Sequence, residues 1–309
     1  MASIRPYIQI ARPDHWIKNV FMIPGVILAL FGDRSIDIVS SLPRLALGIF
    51  AVCLAASSNY VINEILDAPS DRHHPDKKNR PVASGEVRLS IGYAEWILLG
   101  LASLAIAWQI NRPFFLATLL LLIMGLLYNV RPIRLKDVPY LDVLSESVNN
   151  PIRLVLGWYA ISTDQRVILS AVLSYWMLGA FLMAVKRYAE YRHIGSAAVA
   201  SSYRKSFGHY NDQRLLTSII YYVTAFGMFG GIFLIRYHIE LILSIPLIAG
   251  FIAYYLHLGF QENSPVQYPE QLYRFKGFVI YTTLSFFAVL GLLFVHWPII
   301  DELFRPSFP

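Results

Sequence analysis

The sequence is poor in cysteine and in charge, and these two shortages narrow the class of protein. Its single cysteine, Cys53, lies in an apolar run, which excludes both an intramolecular disulfide and a thiolate metal cage. Charged residues make up only 15% of the chain, whereas about a quarter is usual in soluble domains. With 309 residues, 56% of them hydrophobic, the chain is predicted to be a polytopic membrane protein of the all-α class.

Long apolar runs predict about nine membrane-spanning helices. A spanning helix needs about 20 mostly apolar residues. The first and fifth runs carry more polar residues than lipid tolerates, so we expect them to face a protein interior. The first residues, MASIRPYIQIARPDHW, contain no continuous apolar core, and a cleaved signal peptide is therefore not expected. The predicted spans are 17–31, 44–66, 90–110, 113–130, 141–161, 166–185, 215–236, 239–258 and 278–298.

The distribution of cations predicts the orientation in the membrane. Lysine and arginine concentrate in the N-terminal segment and in four long connections, which together hold 19 of the 26 such residues. By the positive-inside rule these connections are cytoplasmic, with the N-terminus inside and the C-terminus outside. This bias explains the net charge of +6 without a nucleic-acid partner. We expect a single integral membrane domain over residues 1–309, with a polar cap formed by the connections 67–89, 131–140, 186–214 and 259–277.

Polar side chains recur at helical spacing where the second span ends, in the stretch NEILDAPSD. Asn63 and Asp67 are four residues apart and therefore share a helix face. Because Pro69 disfavours a continuing helix, Asp71 is predicted to lie on the turn just past the helix end. Converging oxygen atoms suit Mg²⁺, which we expect to be bridged between helix end and loop. Acids that merely solvate a helix end are the alternative.

Cations follow these acids at once in the stretch DRHHPDKKNRP, residues 71–81. Carboxylates that hold a metal beside cations that hold phosphate oxygens are typical of a diphosphate site. The positive-inside rule alone accounts for the number of cations, but it does not explain the acids between them. The sequence therefore favours a site for a metal and a diphosphate.

A second polar cluster follows the fourth span, in YNVRPIRLKDVPYLDVLSES. Asp142 and Glu146 again lie four residues apart, near the start of an apolar helix. Carboxylates within a span or at its mouth are costly and usually functional. Asn149 and Arg153 continue the polar character into the same helix, so two clusters on one membrane face predict a shared polar cavity.

Two further features have simpler explanations. The stretch VKRYAEYR contains Lys186, Arg187 and Glu190, which taken alone indicate the charge of a cytoplasmic loop. Lys18, in HWIKNV within the first apolar segment, could extend its long stem to the membrane surface. Neither feature defines a site without further support.

Together these motifs resemble the UbiA superfamily of membrane prenyltransferases, and the resemblance covers nearly the whole chain. The stretches RPDHWIKN, DRHHPDKKNRPVASG, KRYAEYR followed by YRKS, and PEQLYR are similar to its decaprenyl-phosphate phosphoribosyltransferase branch. The chain departs from that branch at Glu64, where the branch usually has aspartate, and at Arg274, where an acid is expected. Its second motif, with Pro132, is closer to the general prenyltransferase form.

The resemblance implies an enzyme of the bacterial cell membrane, with a helical bundle around a central cavity that opens to the cytoplasmic side, and Mg²⁺ as cofactor. It implies transfer of 5-phosphoribose from 5-phosphoribosyl-1-diphosphate to a polyprenyl phosphate, such as decaprenyl phosphate, for cell-envelope glycan synthesis. The alternatives are a prenyltransferase that moves an isoprenoid chain from its diphosphate to an aromatic or other small acceptor, and a transporter of an anionic metabolite. Membrane lipids are expected partners, nucleic acid is not, and a homo-oligomer is compatible with the resemblance.

The resemblance and the polar clusters together assign roles to individual residues. The metal ligands are predicted to be Asn63, Asp67 and Asp71, and the catalytic residues Asp67, Asp71 and Asp142. Lys186, Arg187 and Glu190 are assigned to a sugar-phosphate pocket. The substrate-binding set is Lys18, Asn63, Arg72, Lys77, Arg80, Tyr128, Lys136, Glu146, Arg153, Lys186, Arg187 and Glu190.

Overall fold

The computed structural model describes residues 4–72, 77–163, 165–195 and 205–304, apart from the side chains of 269–271 and 301. Every regular element in these ranges is a helix, which confirms the all-α class. Eight helical segments there are long and apolar enough to cross a membrane. The chain divides into two compact units, Met1–Val167 and Ile168–Pro309. That both belong to a single membrane domain stays a prediction.

The first unit contains seven α-helices and three short 3₁₀ helices within its described residues. The α-helices are α1 (Arg5–Ala11), α2 (Ile23–Gly32), α3 (Ile38–Asp71), α4 (Leu89–Ile110), α5 (Arg112–Asn129), α6 (Leu141–Ser147) and α7 (Asn149–Ile161). The 3₁₀ helices are Pro13–Met22, Lys77–Asn79 and Leu135–Asp137.

The second unit contains five α-helices and four 3₁₀ helices within the residues that the structure covers. The α-helices are α8 (Leu169–Ile194), α9 (Asp212–Tyr237), α10 (Ile245–Gly259), α11 (Lys276–Phe294) and α12 (Pro298–Phe304). The 3₁₀ helices are Lys205–His209, Ile239–Ser244, Pro265–Gln267 and Pro269–Arg274.

The fifth predicted span, 141–161, is not one continuous helix. It is divided at Val148 into α6 and α7, of 7 and 13 residues. Each piece is shorter than the roughly 20 residues that a single crossing needs. The other eight predicted spans coincide with the eight candidate crossings of the described chain, so the count of nine stays a prediction.

Helix α3 is the longest helix in the described chain and positions the first polar cluster. Its N-cap is Asp37, whose carboxylate accepts hydrogen bonds from the backbone N–H groups of Val39 and Ser40. Its 34 residues correspond to about 50 Å, more than the hydrocarbon core of a bilayer. The predicted break before Asp71 is wrong, because α3 includes Pro69 and ends at Asp71.

Helix α3 continues past Pro69 because this proline lies in its last turn. Pro69 lacks an N–H group and therefore removes one hydrogen bond of the helical ladder. The next turn is still closed, since the N–H of Arg72 donates to the carbonyls of Ala68 and Ser70. Asp71 thus remains on the helix rather than on a loop.

Close backbone contacts fix α7 in the first unit. A Cβ atom added at Gly25 on α2 would overlap the carbonyl of Leu154 on α7. A Cβ atom added at Gly157 would overlap the carbonyl of Met22. Small residues of this kind let helix backbones approach closely, and here they hold α7, with its polar N-terminal turn, in the interior of the unit.

Candidate active site

Asn63, Asp67 and Asp71 lie along one side of the C-terminal end of α3. They recur every four residues on a helix that continues to Asp71, and residues four apart share a helix face. The structure thus adds Asp71 to the face that was predicted for Asn63 and Asp67. A single helix presents all three side chains.

Two cations from the loop after α5 hold the carboxylate of Asp67. Nζ of Lys136 donates a hydrogen bond to Oδ1 of Asp67 over 2.6 Å. Nη2 of Arg134 lies 3.0 Å from the same oxygen. Because these three side chains are 18% exposed or less, their charges attract more strongly than they would in bulk water. The sequence assigns Lys136 to the site but misses Arg134.

Four side chains form a closed ring of hydrogen bonds on this face, which we call the Asp67 ring. Nδ2 of Asn63 donates to Oδ2 of Asp67 over 3.3 Å and to Oδ1 of Asn129 over 2.5 Å. Nζ of Lys136 donates to the same Oδ1 of Asn129 over 2.9 Å, and to Asp67. Sequence reasoning missed Asn129, although a polar residue that ends an apolar helix beside Tyr128 was a usable signal.

Asp71 pairs with a different cation. Nη1 of Arg80 lies 2.7 Å from Oδ2 of Asp71, whose side chain is 7% exposed. Nε of Arg72 donates instead to the backbone carbonyl of Ala83 over 3.3 Å. Lys77 begins the 3₁₀ helix between these residues. Arg80 thus lies against a carboxylate of the predicted metal motif.

Glu64, next to Asn63 on α3, connects two other segments of the chain. It is 2% exposed, and its Oε2 lies 3.1 Å from Nη2 of Arg12. Its Oε1 accepts a hydrogen bond of 3.4 Å from the backbone N–H of Val82. Glu64 therefore links the N-terminal segment to the loop after α3, which the sequence did not predict.

The second polar cluster brings Tyr128 and Glu146 together. The hydroxyl of Tyr128 donates to Oε2 of Glu146 over 3.2 Å. Nζ of Lys136 lies 5.6 Å from the centroid of the Tyr128 ring, which is within cation–π range. Asp142, one turn earlier on α6, has no exposed surface. Tyr128 therefore connects the Asp67 ring, through Lys136, to the acids of α6.

Arg153 lies inside the first unit and is 8% exposed. Its Nε donates to Oδ1 of Asn19 over 2.9 Å, and its Nη1 donates to the carbonyl of Asn149 over 3.3 Å. An arginine keeps its charge when buried, so this guanidinium can attract an anion. Lys18 is exposed on its 3₁₀ helix, and its role in the site stays a prediction.

The second unit holds Lys186, Arg187 and Glu190. All three lie on α8, so the loop predicted to begin at residue 186 starts only after Ile194. Nη1 of Arg187 lies 3.0 Å from Oε2 of Glu190, and Nζ of Lys186 lies 3.9 Å from Oε1. Arg187 is 1% exposed, which a mere loop charge would not be. Of the loop itself, residues 196–204 lie outside the description.

The donor set at the end of α3 fits Mg²⁺. Within the described residues, no three His, Cys, Asp or Glu side chains converge as a metal site. Mg²⁺ does not need three, because it is usually bound by one or two carboxylates together with substrate phosphates. Asp67 and Asp71 on one helix face, with the amide of Asn63, supply this hard-oxygen set.

Membrane-length helices and an interior set of paired acids and cations define a multi-pass membrane enzyme. The sequence matches the UbiA prenyltransferase family over residues 20–275, so the chain belongs to this family. It is a transferase of that superfamily, which confirms the resemblance of its motifs.

Solved structures support the fold. A UbiA homologue from Archaeoglobus fulgidus, bound to GPP and Mg²⁺, has a TM-score of 0.70 and covers 94% of this chain and 100% of its own, at 21% identity. A structure of digeranylgeranylglyceryl phosphate synthase has a TM-score of 0.64 at 17% identity, covering 96% of this chain. These likenesses establish the architecture.

Proteins that match by sequence have a higher identity to this chain than these solved structures. A decaprenyl-phosphate phosphoribosyltransferase from Mycobacterium tuberculosis is 31% identical over 208 residues, 67% of each chain. A protein of the same name from Mycolicibacterium smegmatis is 30% identical over 67% of this chain and 63% of its own. A homogentisate phytyltransferase from Synechocystis is 35% identical over 149 residues, 47% of each chain.

Proposed function

We propose that the chain transfers 5-phosphoribose from 5-phosphoribosyl-1-diphosphate to a polyprenyl phosphate. The observation that carries the use of a diphosphate donor is the pairing of acids and cations at the end of α3, where Asp67 meets Lys136 and Asp71 meets Arg80. Such a set can accept a metal on its carboxylates and phosphate oxygens on its cations. The names of the two mycobacterial relatives support phosphoribose as the group that is moved.

Asn63, Asp67 and Asp71 would hold Mg²⁺ through amide and carboxylate oxygens. Bound there, the metal would neutralise the negative charge that develops on the departing diphosphate. Lys136 and Arg80, which already lie against these carboxylates, would bind diphosphate oxygens. Preplaced cations of this kind stabilise charge without reorganising during the reaction.

The reaction joins an oxygen of the polyprenyl phosphate to C1 of the ribose. The bond between C1 and the diphosphate oxygen breaks, and diphosphate leaves with the bonding electrons. Because the attacking phosphate is already anionic, it needs no general base, only cations that position it. Arg153, with its buried guanidinium, is one such cation.

The remaining assigned residues complete the proposal. Tyr128, Asp142 and Glu146 would form the second half of the site, as the contact between Tyr128 and Glu146 supports. By the resemblance of their motif, Lys186 and Arg187 would bind a sugar phosphate. Their proximity to Glu190 on α8 shows that this cation pair is itself anchored.

We also propose a bacterial inner membrane location with the site on the cytoplasmic side. The support is the concentration of 19 of the 26 lysines and arginines in the N-terminal segment and the four long connections. A water-soluble sugar diphosphate would reach the site from that side. The bacterial sources of the relatives agree with this location.

Prenyl transfer is the second candidate. The Synechocystis relative is named a phytyltransferase, and two A. fulgidus structures hold GPP or DMAPP with Mg²⁺. The same acids and cations would bind a prenyl diphosphate, so the end of α3 does not separate the two reactions. They differ in the group that is moved and in the acceptor.

The lipid product decides between them. Purified full chain is incubated with Mg²⁺, 5-phosphoribosyl-1-diphosphate and decaprenyl phosphate, and in parallel with geranyl diphosphate and an aromatic acceptor. Mass spectrometry should detect polyprenyl-phosphoryl-5-phosphoribose in the first reaction. Its absence, together with a prenylated product in the second, would contradict the proposal and establish prenyl transfer.

A further inference from the structure

We infer that Asn129 is a positioning residue, which keeps Lys136 beside the metal motif so that metal and lysine bind diphosphate together. The inference rests on the proposed function and deepens it, since it concerns how the diphosphate site is assembled. It starts from the Asp67 ring, in which Asn129 connects α5 to both Asn63 and Lys136.

The orientation of the Asn129 amide is fixed by its other hydrogen bond. Nδ2 of Asn129 donates to the carbonyl of Gly125, one turn earlier on α5, over 2.9 Å. Its Oδ1 is therefore the end that accepts from Asn63 and from Lys136. Asn129 is 3% exposed, and a buried amide with hydrogen bonds at both of its polar atoms favours one arrangement of its partners.

Lys136 needs such an anchor because its partner Asp67 is also a metal ligand in the proposed site. Lys136 and Arg134 both contact Oδ1 of Asp67, and a metal on Asp67 would compete with them for that oxygen. A neutral amide 2.9 Å away keeps the ammonium in place without adding negative charge. The lysine then remains available to phosphate oxygens instead of moving away on its flexible stem.

Asn129 also orients a predicted metal ligand. The amide nitrogen of Asn63 uses its two hydrogens on Asp67 and on Asn129. The remaining polar atom of Asn63 is its carbonyl oxygen, the kind of ligand that Mg²⁺ prefers. Partners that orient ligands in this way are typical of metal sites.

The test is a double-mutant cycle read by binding rather than by turnover. Inorganic diphosphate is titrated into the purified full chain with Mg²⁺ by calorimetry, for the unmodified chain, Asn129→Ala, Lys136→Met and the double variant. We expect Asn129→Ala to weaken binding about tenfold alone. In the Lys136→Met background it should weaken binding less than about threefold, because the lysine is gone and only the orientation of Asn63 is still lost. An equal loss in both backgrounds, or no loss in either, would overturn the inference.

Asn59→Ala is the matched control for a purely structural effect. Nδ2 of Asn59 donates to the carbonyl of Leu121 over 3.0 Å, so it too ties α3 to α5, one turn before Asn63. We expect this variant to bind diphosphate within about twofold of the unmodified chain. A loss as large as that of Asn129→Ala would show that loosening the two helices is enough, and would overturn the role of Asn129.

A second variant guards against failure of Asn129→Ala to fold. In Asn129→Ser the hydroxyl can still donate to the carbonyl of Gly125, four residues earlier, but it is too short to replace the amide toward Lys136. We expect Asn129→Ser to show the same loss and the same dependence on Lys136. Binding equal to that of the unmodified chain would overturn the inference.

The outcomes separate this inference from the proposed function. Phosphoribosyl transfer and prenyl transfer both release diphosphate, so the cycle does not depend on which group is moved. Coupling between Asn129 and Lys136 without a lipid-linked ribose phosphate would refute the proposed function and support the role of Asn129. Formation of that product with additive variants would do the reverse.

Discussion

Nη1 of Arg80 lies 2.7 Å from Oδ2 of Asp71, so the loop after α3 returns to the last residue of that helix. We expect Arg80→Met to raise KM for the diphosphate donor about 10- to 150-fold, because a charged hydrogen bond contributes about 1.5–3 kcal/mol. Steady-state kinetics measure the effect. Arg88→Met, an exposed change in the same loop, is the control, and an equal KM in both variants would contradict the prediction.

Asp67 is held by three other side chains of the site, those of Lys136, Arg134 and Asn63. We expect Asp67→Asn to lower kcat by about 10²–10³, the usual effect of losing one charge-stabilising group. Exposed Asp212→Asn should keep full activity. Retention of more than a tenth of the activity by Asp67→Asn, in a folded protein, would remove Asp67 from the catalytic residues.

Removal of the metal is a second test of the same carboxylates. Activity of the purified chain should fall to background when EDTA is added and should return with excess Mg²⁺, since a diphosphate leaves poorly until a cation neutralises its charge. Product formation by mass spectrometry is the measurement. Undiminished turnover in the chelator would exclude a dissociable metal at Asn63, Asp67 and Asp71.

The pair of Arg12 and Glu64 predicts an effect on stability. Arg12→Met leaves the carboxylate of Glu64, 2% exposed, without its charged partner, and we expect a loss of about 2–3 kcal/mol in the free energy of unfolding. Glu64→Gln in the same chain removes the stranded charge and should recover about half of the loss. Denaturant unfolding in detergent measures both variants, and a double variant less stable than Arg12→Met would contradict the argument.

In the second unit, the buried carboxylate of Glu240 is likewise expected to contribute to the stability of the fold. It is 2% exposed, accepts a hydrogen bond of 3.0 Å from the N–H of Trp297, and lies 2.6 Å from Nδ1 of His296. Glu240→Ala should cost about 2–4 kcal/mol, because this buried carboxylate loses its hydrogen bond from Trp297 and its ion pair with His296. Exposed Glu262→Ala should change stability by less than about 0.5 kcal/mol. Equal midpoints of unfolding for the two variants would refute this.

Sequence patterns placed Asn63 and Asp67 on one helix face but did not predict where the helices end. The four-residue spacing of Asn63 and Asp67 was sufficient to place them on one face, since helical geometry is local. The break expected at Pro69 did not occur, because a proline in the last turn removes only one ladder bond. Val148 divides the fifth predicted span into two helices, and the polar residues around it did not indicate the position of this break.

The partners of the site residues were beyond the reach of sequence patterns. Asn129 is 66 residues from Asn63, and Lys136 is 69 residues from Asp67. No periodicity connects such positions, because only the packing of α5 and its following loop against α3 brings them together. The pairings of Asp67 with Lys136 and of Asn63 with Asn129 were not predicted for this reason, whereas Arg80 lies only nine residues from Asp71.

By itself, the sequence determined that this is a membrane protein and which types of charged side chain lie between its apolar runs. Apolar runs of membrane length exclude water, so the few carboxylates and cations between them were expected to act together, and their types indicated metal and phosphate. Only the tertiary structure decided which charge meets which. Lys136 and Arg134 contact Asp67 while Arg80 contacts Asp71, because side-chain contacts depend on the distance between helices and loops in space rather than along the chain.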